Sequence, residues 1–248
     1  MEIISVINRK GGVGKTATAH ALGAGLMRKG YKVLFIDLDS QANLTFSIGA
    51  DFNKVSIYEV LTGKATAQEA IQHAPGGDVI TASYELSTAD MTLTETGKEY
   101  KLKEALESIQ SNYDYIVIDT PAQLGTLTIN ALTASTSAII PVQAEIYSIQ
   151  GIGQLLDTIT SVKKYCNRDL FIKGILVTRY NARAIISRDM LNSLEDIAER
   201  LNTKVYKAQI RECVAIKEAQ ASKTDIFSYS SGSNAALDYE SFVNEFLA

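Results

Sequence analysis

The stretch Asn-Arg-Lys-Gly-Gly-Val-Gly-Lys-Thr at residues 8–16 constrains the fold of this chain more than any other feature. It follows a short apolar run rich in isoleucine, residues 2–7, and precedes a segment of small residues, 17–29. The first run is typical of a buried strand and the second of a helix. A strand, a glycine-rich loop and a helix in this order form a phosphate-binding arrangement. We call residues 8–16 the phosphate loop.

Each residue type in the phosphate loop has a chemical reason. Glycines let backbone N–H groups turn inward around phosphate oxygens, and the following helix adds the partial positive charge of its N-terminus. Lys15 is placed to reach the β and γ phosphates, and the Thr16 hydroxyl can ligate Mg2+. The sequence therefore predicts a nucleotide and Mg2+ site built on Gly11, Gly12, Val13, Gly14, Lys15, Thr16 and Ala17.

Two further apolar strands run into aspartates. Residues 32–36 lead into Asp37 and Asp39, and residues 113–118 lead into Asp119. The carboxyl ends of parallel strands meet at the edge that carries the phosphate loop, so these carboxylates are expected beside a bound nucleotide. An apolar strand that ends in aspartate is how P-loop enzymes hold Mg2+, usually through a water. Because many buried strands end in aspartate, the pattern becomes specific only together with the phosphate loop.

Apolar strands alternate with amphipathic helices along the whole chain. This alternation predicts an α/β fold of the P-loop NTPase type, with a mostly parallel twisted sheet and helices on both faces. No repeat or linker interrupts the pattern, so we expect one domain over residues 1–248. Two capping boxes, Ser56 to Glu59 and Thr66 to Glu69, predict two short helices in the otherwise uninformative stretch 51–77. A longer helix is expected over 98–110 and a closing one over about 234–247.

Bulk composition excludes several classes of protein. No apolar run approaches the roughly 18–20 residues that span a bilayer, and the first strand begins at once, so we expect a cytoplasmic protein. Cys166 and Cys213 are far apart, as are His20 and His73, which favours neither a disulfide framework nor a zinc site. The net charge is −4. Residues 161–223 nevertheless hold 13 Lys and Arg against 7 Asp and Glu, so basic residues are concentrated there.

Three motifs carry a family resemblance. The common loop pattern G-x-x-x-x-G-K-[ST] would have glycine at Arg9, whereas this chain has a second lysine, Lys10, ahead of the paired glycines. This deviant loop resembles that of the ParA/MinD family of ATPases, and of the ParA/Soj partition ATPases within it. Residues 37–43, the first aspartate loop, resemble D-x-D-P-Q-G-N with Ser40 and Ala42 replacing proline and glycine. Residues 119–125, the second aspartate loop, resemble D-x-P-P-x-x-G with Ala122 replacing the second proline.

The resemblance implies a mechanism. ATP and Mg2+ would bind in each subunit, and Lys10 would reach across a sandwich dimer to the partner's phosphates. Asp39 would orient the attacking water, which makes Lys10, Lys15 and Asp39 the catalytic candidates. Thr16, Asp37 and Asp119 would serve the metal. Residues 209–214 resemble the family loop near the adenine, which makes Arg211 a nucleotide-binding candidate. Hydrolysis would be slow and stimulated by a DNA-bound, ParB-like centromere-binding protein.

The basic excess in residues 161–223 suits nonspecific DNA binding, which needs only lysines and arginines aimed at phosphates. A dimer presents twice as many contacts, so ATP would switch DNA binding on and place the protein on the nucleoid. The candidates for contacting DNA are Arg179, Arg183, Arg188, Lys217 and Lys223.

Three alternatives remain open at this point. A MinD-like membrane-cycling ATPase shares the loop, but such proteins resemble one another in ending with a basic amphipathic helix. Residues 238–248 contain three acids and no base, which an anionic bilayer would repel. A scaffold or metal-cluster carrier would need cysteine ligands, which two separated cysteines do not supply. A small-molecule synthetase would need a second substrate pocket.

Overall fold

A mostly parallel sheet organises the chain in the computed structural model, which describes residues 1–143, 146–180 and 185–248, with side chains at 1–143, 152–180 and 191–248. Eight strands lie in the described residues in the order β3-β4-β2-β5-β1-β6-β7-β8. Among them only β3 is antiparallel, to β4. The strands are β1 (Glu2–Val6), β2 (Val33–Asp37), β3 (Ile71–Ala74), β4 (Gly77–Ile80), β5 (Tyr115–Asp119), β6 (Ser137–Gln143), β7 (Phe171–Tyr180) and β8 (Val205–Arg211).

Helices connect the strands and cover both faces of the sheet, as the α/β pattern predicts. The central strand β1 lies between β5 and β6, and the phosphate loop joins it directly to α1. The helices described are α1 (Lys15–Arg28), α2 (Asn43–Ile48), α3 (Ile57–Leu61), α4 (Ala67–Ala70), α5 (Ala89–Thr92), α6 (Lys101–Leu106), α7 (Thr126–Ala134), α8 (Ile146–Tyr165), α9 (Ile185–Arg200), α10 (Val214–Ala221), α11 (Ile226–Tyr229) and α12 (Asn234–Leu247).

Strand β1 shows how the core divides between the two faces. Ile4 and Val6 are fully buried in a cluster that contains α1 and the apolar face of α12. Ile3 points to the opposite face and packs with residues of α3, α6 and α7. Successive side chains of a strand alternate between faces, so a strand that is apolar throughout requires helices on both sides. The phosphate loop is therefore attached to a strand whose last four residues are buried.

The predicted elements between β2 and β5 are confirmed in part. Both capping boxes form, since the backbone N–H groups of Ser56 and Thr66 donate to Glu59 and Glu69 at 3.0 and 2.8 Å. The helix expected over 98–110 is shorter: α6 ends at Leu106, and 3-10 turns flank it at 98–100 and 110–112. Strand β3 was missed because a four-residue hairpin strand shows too little alternation to read.

The region before the last helix also differs from the prediction. Residues 209–211 were assigned to a loop but continue β8, so the loop near the expected base site is only Glu212 and Cys213. Helices α10 and α11 follow this loop and were not predicted from the sequence. Residues 234–247 form the predicted closing helix, α12.

Strand β8 lies at one edge of the sheet beside α12. Two acidic side chains of α12 accept hydrogen bonds from the backbone of this strand. Glu245 accepts from Lys207 and Ala208, both at 3.1 Å, and Asp238 accepts from Arg211 at 3.0 Å. No helix in the described part of the chain is long and apolar enough to cross a membrane.

Candidate active site

The phosphate loop has the backbone shape that its glycines predict. Gly12 and Gly14 have φ of 76° and 85°, in the left-handed region that residues with a Cβ rarely adopt. A Cβ added at Gly11 or Gly12 would meet no atom within 4 Å. The space over these backbone N–H groups is thus open, and the N-terminus of α1 faces it, which suits a bound phosphate.

Two polar side chains fasten this loop to the neighbouring strands. The Asn8 amide donates to the carbonyl of Pro141 in β6 at 2.7 Å and accepts from the Lys10 N–H at 2.9 Å. The Thr178 hydroxyl, in β7, donates to the carbonyl of Val13 at 2.8 Å. Sequence reasoning missed both residues, because their partners are 133 and 165 positions away.

Lys15 lies at the centre of the site and is 7% exposed. Its ammonium donates to the Lys10 carbonyl at 3.4 Å. Burial lowers the pKa of Lys15, while the negative charges of Asp119 and Asp39 oppose this effect. A buried ammonium between carboxylates and an open phosphate cradle is suited to bind the β and γ phosphates of a nucleotide.

Asp37 and Asp119 end neighbouring strands and are direct register partners in the sheet. The Asp37 carboxylate is already occupied. It accepts from the Thr45 N–H at 2.8 Å, from the Thr45 hydroxyl at 2.9 Å and from the Asp39 N–H at 3.1 Å. Burial nevertheless raises the pKa of Asp37 to about 6. This geometry makes Asp37 an anchor for α2, and its predicted support of the metal shell stays a prediction.

Asp119, unlike Asp37, has a carboxylate that is not occupied by hydrogen bonds of normal geometry in the described part of the chain. It is fully buried, and neither carboxylate oxygen has a hydrogen bond of normal geometry among the described residues. Burial and the charge of Asp37 raise the pKa of Asp119 well above its usual range, and the Thr16 hydroxyl and the Lys15 ammonium only partly oppose them. A buried carboxylate that lacks a partner beside a hydroxyl fits a hard cation, because Mg2+ prefers oxygen ligands. Thr16 and Asp119 are thus the two residues best placed to hold Mg2+.

The first aspartate loop turns Asp39 toward the same space. Its carboxylate accepts from the Gln41 N–H at 3.0 Å. Ala42, where the resembling motif has glycine, adopts φ of 53° in the left-handed region. The loop therefore keeps the backbone conformation that glycine favours, even though the residue is alanine.

Residues of the phosphate loop and Asp39 line a cavity of about 740 Å³. Apolar side chains from three elements also line it: Phe46 of α2, Ile210 of β8 and Ile216 of α10. Polar groups for the phosphates together with an apolar lining suit a nucleotide with its base. Further residues of the lining are Gln41, Asn43, Ser47, Thr178, Arg179, Arg211, Cys213, Lys217 and Tyr239.

Several predicted basic residues lie around this cavity. Arg179 and Lys217 line it, and Arg179 pairs with Glu212 at 2.8 Å. Arg211 also lines it, with its guanidinium on Asp238 at 2.7 Å. The Lys223 ammonium lies over the Phe46 ring, 5.0 Å from its centre.

The structure thus brings two of the predicted DNA-binding residues to the nucleotide cavity rather than to a separate surface. Arg183 lies outside the described residues, as does the side chain of Arg188. For all five candidates, contact with DNA stays a prediction.

Comparison with known proteins decides the family. The chain matches the AAA_31 family model, described as an AAA domain, over residues 1–172. It is 40% identical over 252 residues to the sporulation initiation inhibitor protein Soj of Bacillus subtilis (strain 168), and the match covers 100% of this chain and 98% of that protein. The chain belongs to the ParA/Soj family of partition ATPases. A second ParA/Soj relative, the chromosome partitioning protein ParA of Caulobacter vibrioides (strain NA1000 / CB15N), is 36% identical and covers 96% of this chain and 91% of its own length.

Solved structures agree on the fold, and one of them contains an ATP analog and magnesium. Cobyrinic acid a,c-diamide synthase from Mycobacterium smegmatis, with bound ATP analog and magnesium, superposes with a TM-score of 0.84 at 35% identity, over 98% of this chain and 93% of that one. A plasmid partition protein from Borrelia burgdorferi has a TM-score of 0.77 at 27% identity, over 99% and 97% of the two chains. The cofactors of this ParA/Soj ATPase are therefore ATP and Mg2+, and the orphaned Asp119 carboxylate fits the metal.

Proposed function

We propose that this protein is a partition ATPase that moves DNA cargo by an ATP-gated cycle of dimerisation and nonspecific DNA binding. The observation that carries the proposal is the full-length similarity to Soj combined with an intact deviant phosphate loop, in which Lys10 precedes the glycine pair. A DNA-bound, ParB-like partner stimulates hydrolysis in this cycle and resets the dimer.

The residues of the site divide the chemistry among them. The backbone N–H groups of the phosphate loop and the Lys15 ammonium bind the phosphates, while Thr16 and Asp119 hold the metal. Mg2+, when bound, neutralises charge on the phosphate oxygens. Asp39 orients a water in line with the γ-phosphate. Lys10 of the partner subunit adds positive charge at the same phosphates, so hydrolysis requires two copies of the chain.

DNA binding follows from dimerisation in this proposal. Each lysine or arginine that neutralises a DNA phosphate steepens the fall of affinity with salt, and a dimer doubles the number of such contacts. The ATP dimer therefore binds DNA under conditions in which the monomer does not, and it associates with the nucleoid. Arg179 and Lys217 line the nucleotide cavity, which supports coupling between the nucleotide and DNA if these residues contact DNA phosphates.

The packing of α12 argues against the membrane-cycling alternative. Its apolar residues Tyr239, Phe242 and Phe246 are at most 3% exposed and belong to the core beside α1. A helix that inserts into a lipid interface must present its apolar face. In this structure α12 would have to leave the core to do so.

A second candidate is amide synthesis on a small carboxylic acid. The observation that favours it is the 35% identity to cobyrinic acid a,c-diamide synthase. This activity would use the same ATP site but needs an acid substrate and an amine donor. Faster ADP release with cobyrinic acid and ammonia than with ATP alone would support it.

The proposal is tested by binding to random-sequence duplex DNA with no nucleotide, with ADP, or with ATP and Mg2+, across a salt series. We expect binding with ATP only, and a negative slope of log affinity against log salt. Anionic liposomes, tested in parallel, should not bind. ATP-dependent liposome binding, or no DNA binding with ATP, would refute the partition cycle.

Two variants sharpen this test. Lys10→Ala should bind ATP yet fail to form the dimer and to bind DNA, whereas Lys103→Ala, an exposed lysine of α6, should behave like the wild type. Size-exclusion chromatography with ATP measures the dimer. A normal ATP dimer of Lys10→Ala on DNA would contradict the cross-dimer role of Lys10. Single alanine substitutions then show which basic residues contact DNA, because losing a phosphate contact reduces the salt slope. The residues to substitute are Arg179, Arg183, Arg188, Lys217 and Lys223.

A further inference from the structure

Helix α7 begins immediately after the second aspartate loop, and its N-cap residue is a glycine. The first free N–H group of the helix finds its partner elsewhere in the chain. The Thr126 N–H donates to the carboxylate of Asp90, on α5, at 2.8 Å. Hydrogen bonds from the side chain and the backbone of Thr126 hold the pKa of Asp90 below its usual range. An ionised carboxylate at this place also interacts favourably with the helix dipole.

Asp90 of α5 lies close to Gly125, the residue before α7. A Cβ added at Gly125 would lie 2.6 Å from Oδ2 of Asp90, nearer than real Cβ atoms approach a neighbour. The glycine that ends the second aspartate loop thus leaves room for the carboxylate. Asp90 and Gly125 form one joint between α5 and the start of α7.

This joint lies at the second of two cavities that meet at Asp39. The smaller one, about 250 Å³, lies between the two aspartate loops, and residues 86–90 contribute to its lining. Asp39, the residue expected to orient water, lines both this cavity and the nucleotide cavity. Asp90 lines the smaller cavity and not the nucleotide cavity, so it holds the second aspartate loop from outside the nucleotide cavity.

Both ends of the second aspartate loop are fixed, but by different means. At its start, the Thr120 hydroxyl donates to the Val6 carbonyl of the central strand at 2.9 Å. At its end, the α7 N-terminus is held by Asp90 and by Asn130, whose amide group bonds the backbone at Lys98 and Leu102. Asp90 is the exposed member of these anchors. Its loss would remove one anchor at the end of the loop, while the Asn130 bonds, the bond from the Thr128 hydroxyl to the Gln123 carbonyl and the strand end stay in place.

We propose that Asp90 is a positioning residue for ATP hydrolysis, which holds the second aspartate loop in the geometry that the γ-phosphate requires. The inference rests on ATP hydrolysis at the site described above. Asp90 does not line the nucleotide cavity itself, so its removal should leave ATP binding intact and slow the hydrolytic step. In Asp90→Ala, kcat is expected to fall about tenfold with little change in KM, the pattern of a lost transition-state interaction.

The test compares four purified variants by steady-state ATPase kinetics with Mg2+. Asp90→Asn keeps an oxygen acceptor for the Thr126 N–H and should retain most of the activity. In Gly125→Ala the added Cβ would displace the Asp90 carboxylate from Thr126, so this variant should resemble Asp90→Ala. Glu85→Ala removes an exposed acid on the same segment and should match the wild type.

A second readout does not depend on catalysis. Amide hydrogen exchange of Thr126, followed by NMR, should be faster in Asp90→Ala than in Asp90→Asn. Folded Asp90→Ala protein with unchanged kcat would overturn the proposal, and so would equal losses in Asp90→Asn and Asp90→Ala. A wild-type protein without ATPase activity would instead refute the proposed function, so failure of that function can be told apart from failure of the Asp90 proposal.

Discussion

Replacing Asp119 by asparagine should stabilise the protein in the absence of ligands. The Asp119 carboxylate is fully buried, its oxygens lack hydrogen bonds of normal geometry among the described residues, and Asp37 lies beside it. A buried polar group without a partner costs about 1–3 kcal/mol, and a charged one costs more, so the neutral amide of asparagine removes the extra cost of the charge. We therefore expect Asp119→Asn to raise the free energy of unfolding by about 2 kcal/mol at pH 8. For a chain of this size that corresponds to roughly 4–8 °C in Tm.

The pH dependence gives the sign of the effect. Since the folded pKa of Asp119 lies above its ordinary value of 3.8, the folded protein holds this proton more tightly than the unfolded chain. The resulting stability is present below the ordinary value and is lost as the pH rises through the folded pKa. The advantage of Asp119→Asn should therefore be small near pH 4 and largest at pH 8.

Urea unfolding with EDTA and without nucleotide, followed by circular dichroism, measures this difference. Asp157→Asn, at an exposed position, serves as the control and should show no gain. Adding ATP and Mg2+ should reverse the order, because saturation at a hundred times Kd stabilises the wild type by about 2.7 kcal/mol. An Asp119→Asn protein no more stable than the wild type at pH 8, or one with the same gain at pH 4, would refute the reasoning.

Three further outcomes concern groups outside the metal site. Burial lowers the pKa of His20 from 6.5 to about 4, so the unfolded chain binds this proton more tightly than the folded protein. The wild type should therefore lose about 2 kcal/mol of stability between pH 8 and pH 5. His20→Leu should lose less in the same unfolding assay. ATP with Mg2+ should slow maleimide labelling of Cys213, which lines the nucleotide cavity, but not of Cys166, as peptide mass spectrometry would show. Gly23→Ala should destabilise the fold by about 1–2 kcal/mol, because its Cβ would lie 2.1 Å from the buried Phe35 ring. Urea titration measures this loss, and a smaller loss when Gly23→Ala is combined with Phe35→Leu would confirm the clash.

The motifs could be predicted because their chemistry is local. The phosphate loop, Lys15 and the strand-end aspartates are specified by residues within a few positions of one another, and the parallel sheet then brings them to one edge. Sequence alone placed Asp37 and Asp119 in equivalent roles. The difference between them depends on Thr45, whose N–H and hydroxyl occupy Asp37. Such a hydrogen bond depends on how α2 packs, which no spacing rule contains.

The residues that hold the loops in place could not be found in this way. Thr178 reaches the phosphate loop from 165 positions away, and Asp90 reaches α7 from 36. A threonine in a strand and an aspartate in a short helix are common, and nothing in their local pattern distinguishes them. A carboxylate that caps a helix from another segment becomes visible only when both segments have been placed in space.

The carboxylates of α12 have a consequence for how copies of this protein can associate. An edge strand with free backbone N–H groups is a template on which another chain can add a strand. On β8, Glu245 and Asp238 already occupy the N–H groups of Lys207, Ala208 and Arg211. Strand addition here would have to break three hydrogen bonds to ionisable groups. Growth of the sheet from one molecule into the next is thereby disfavoured at this edge.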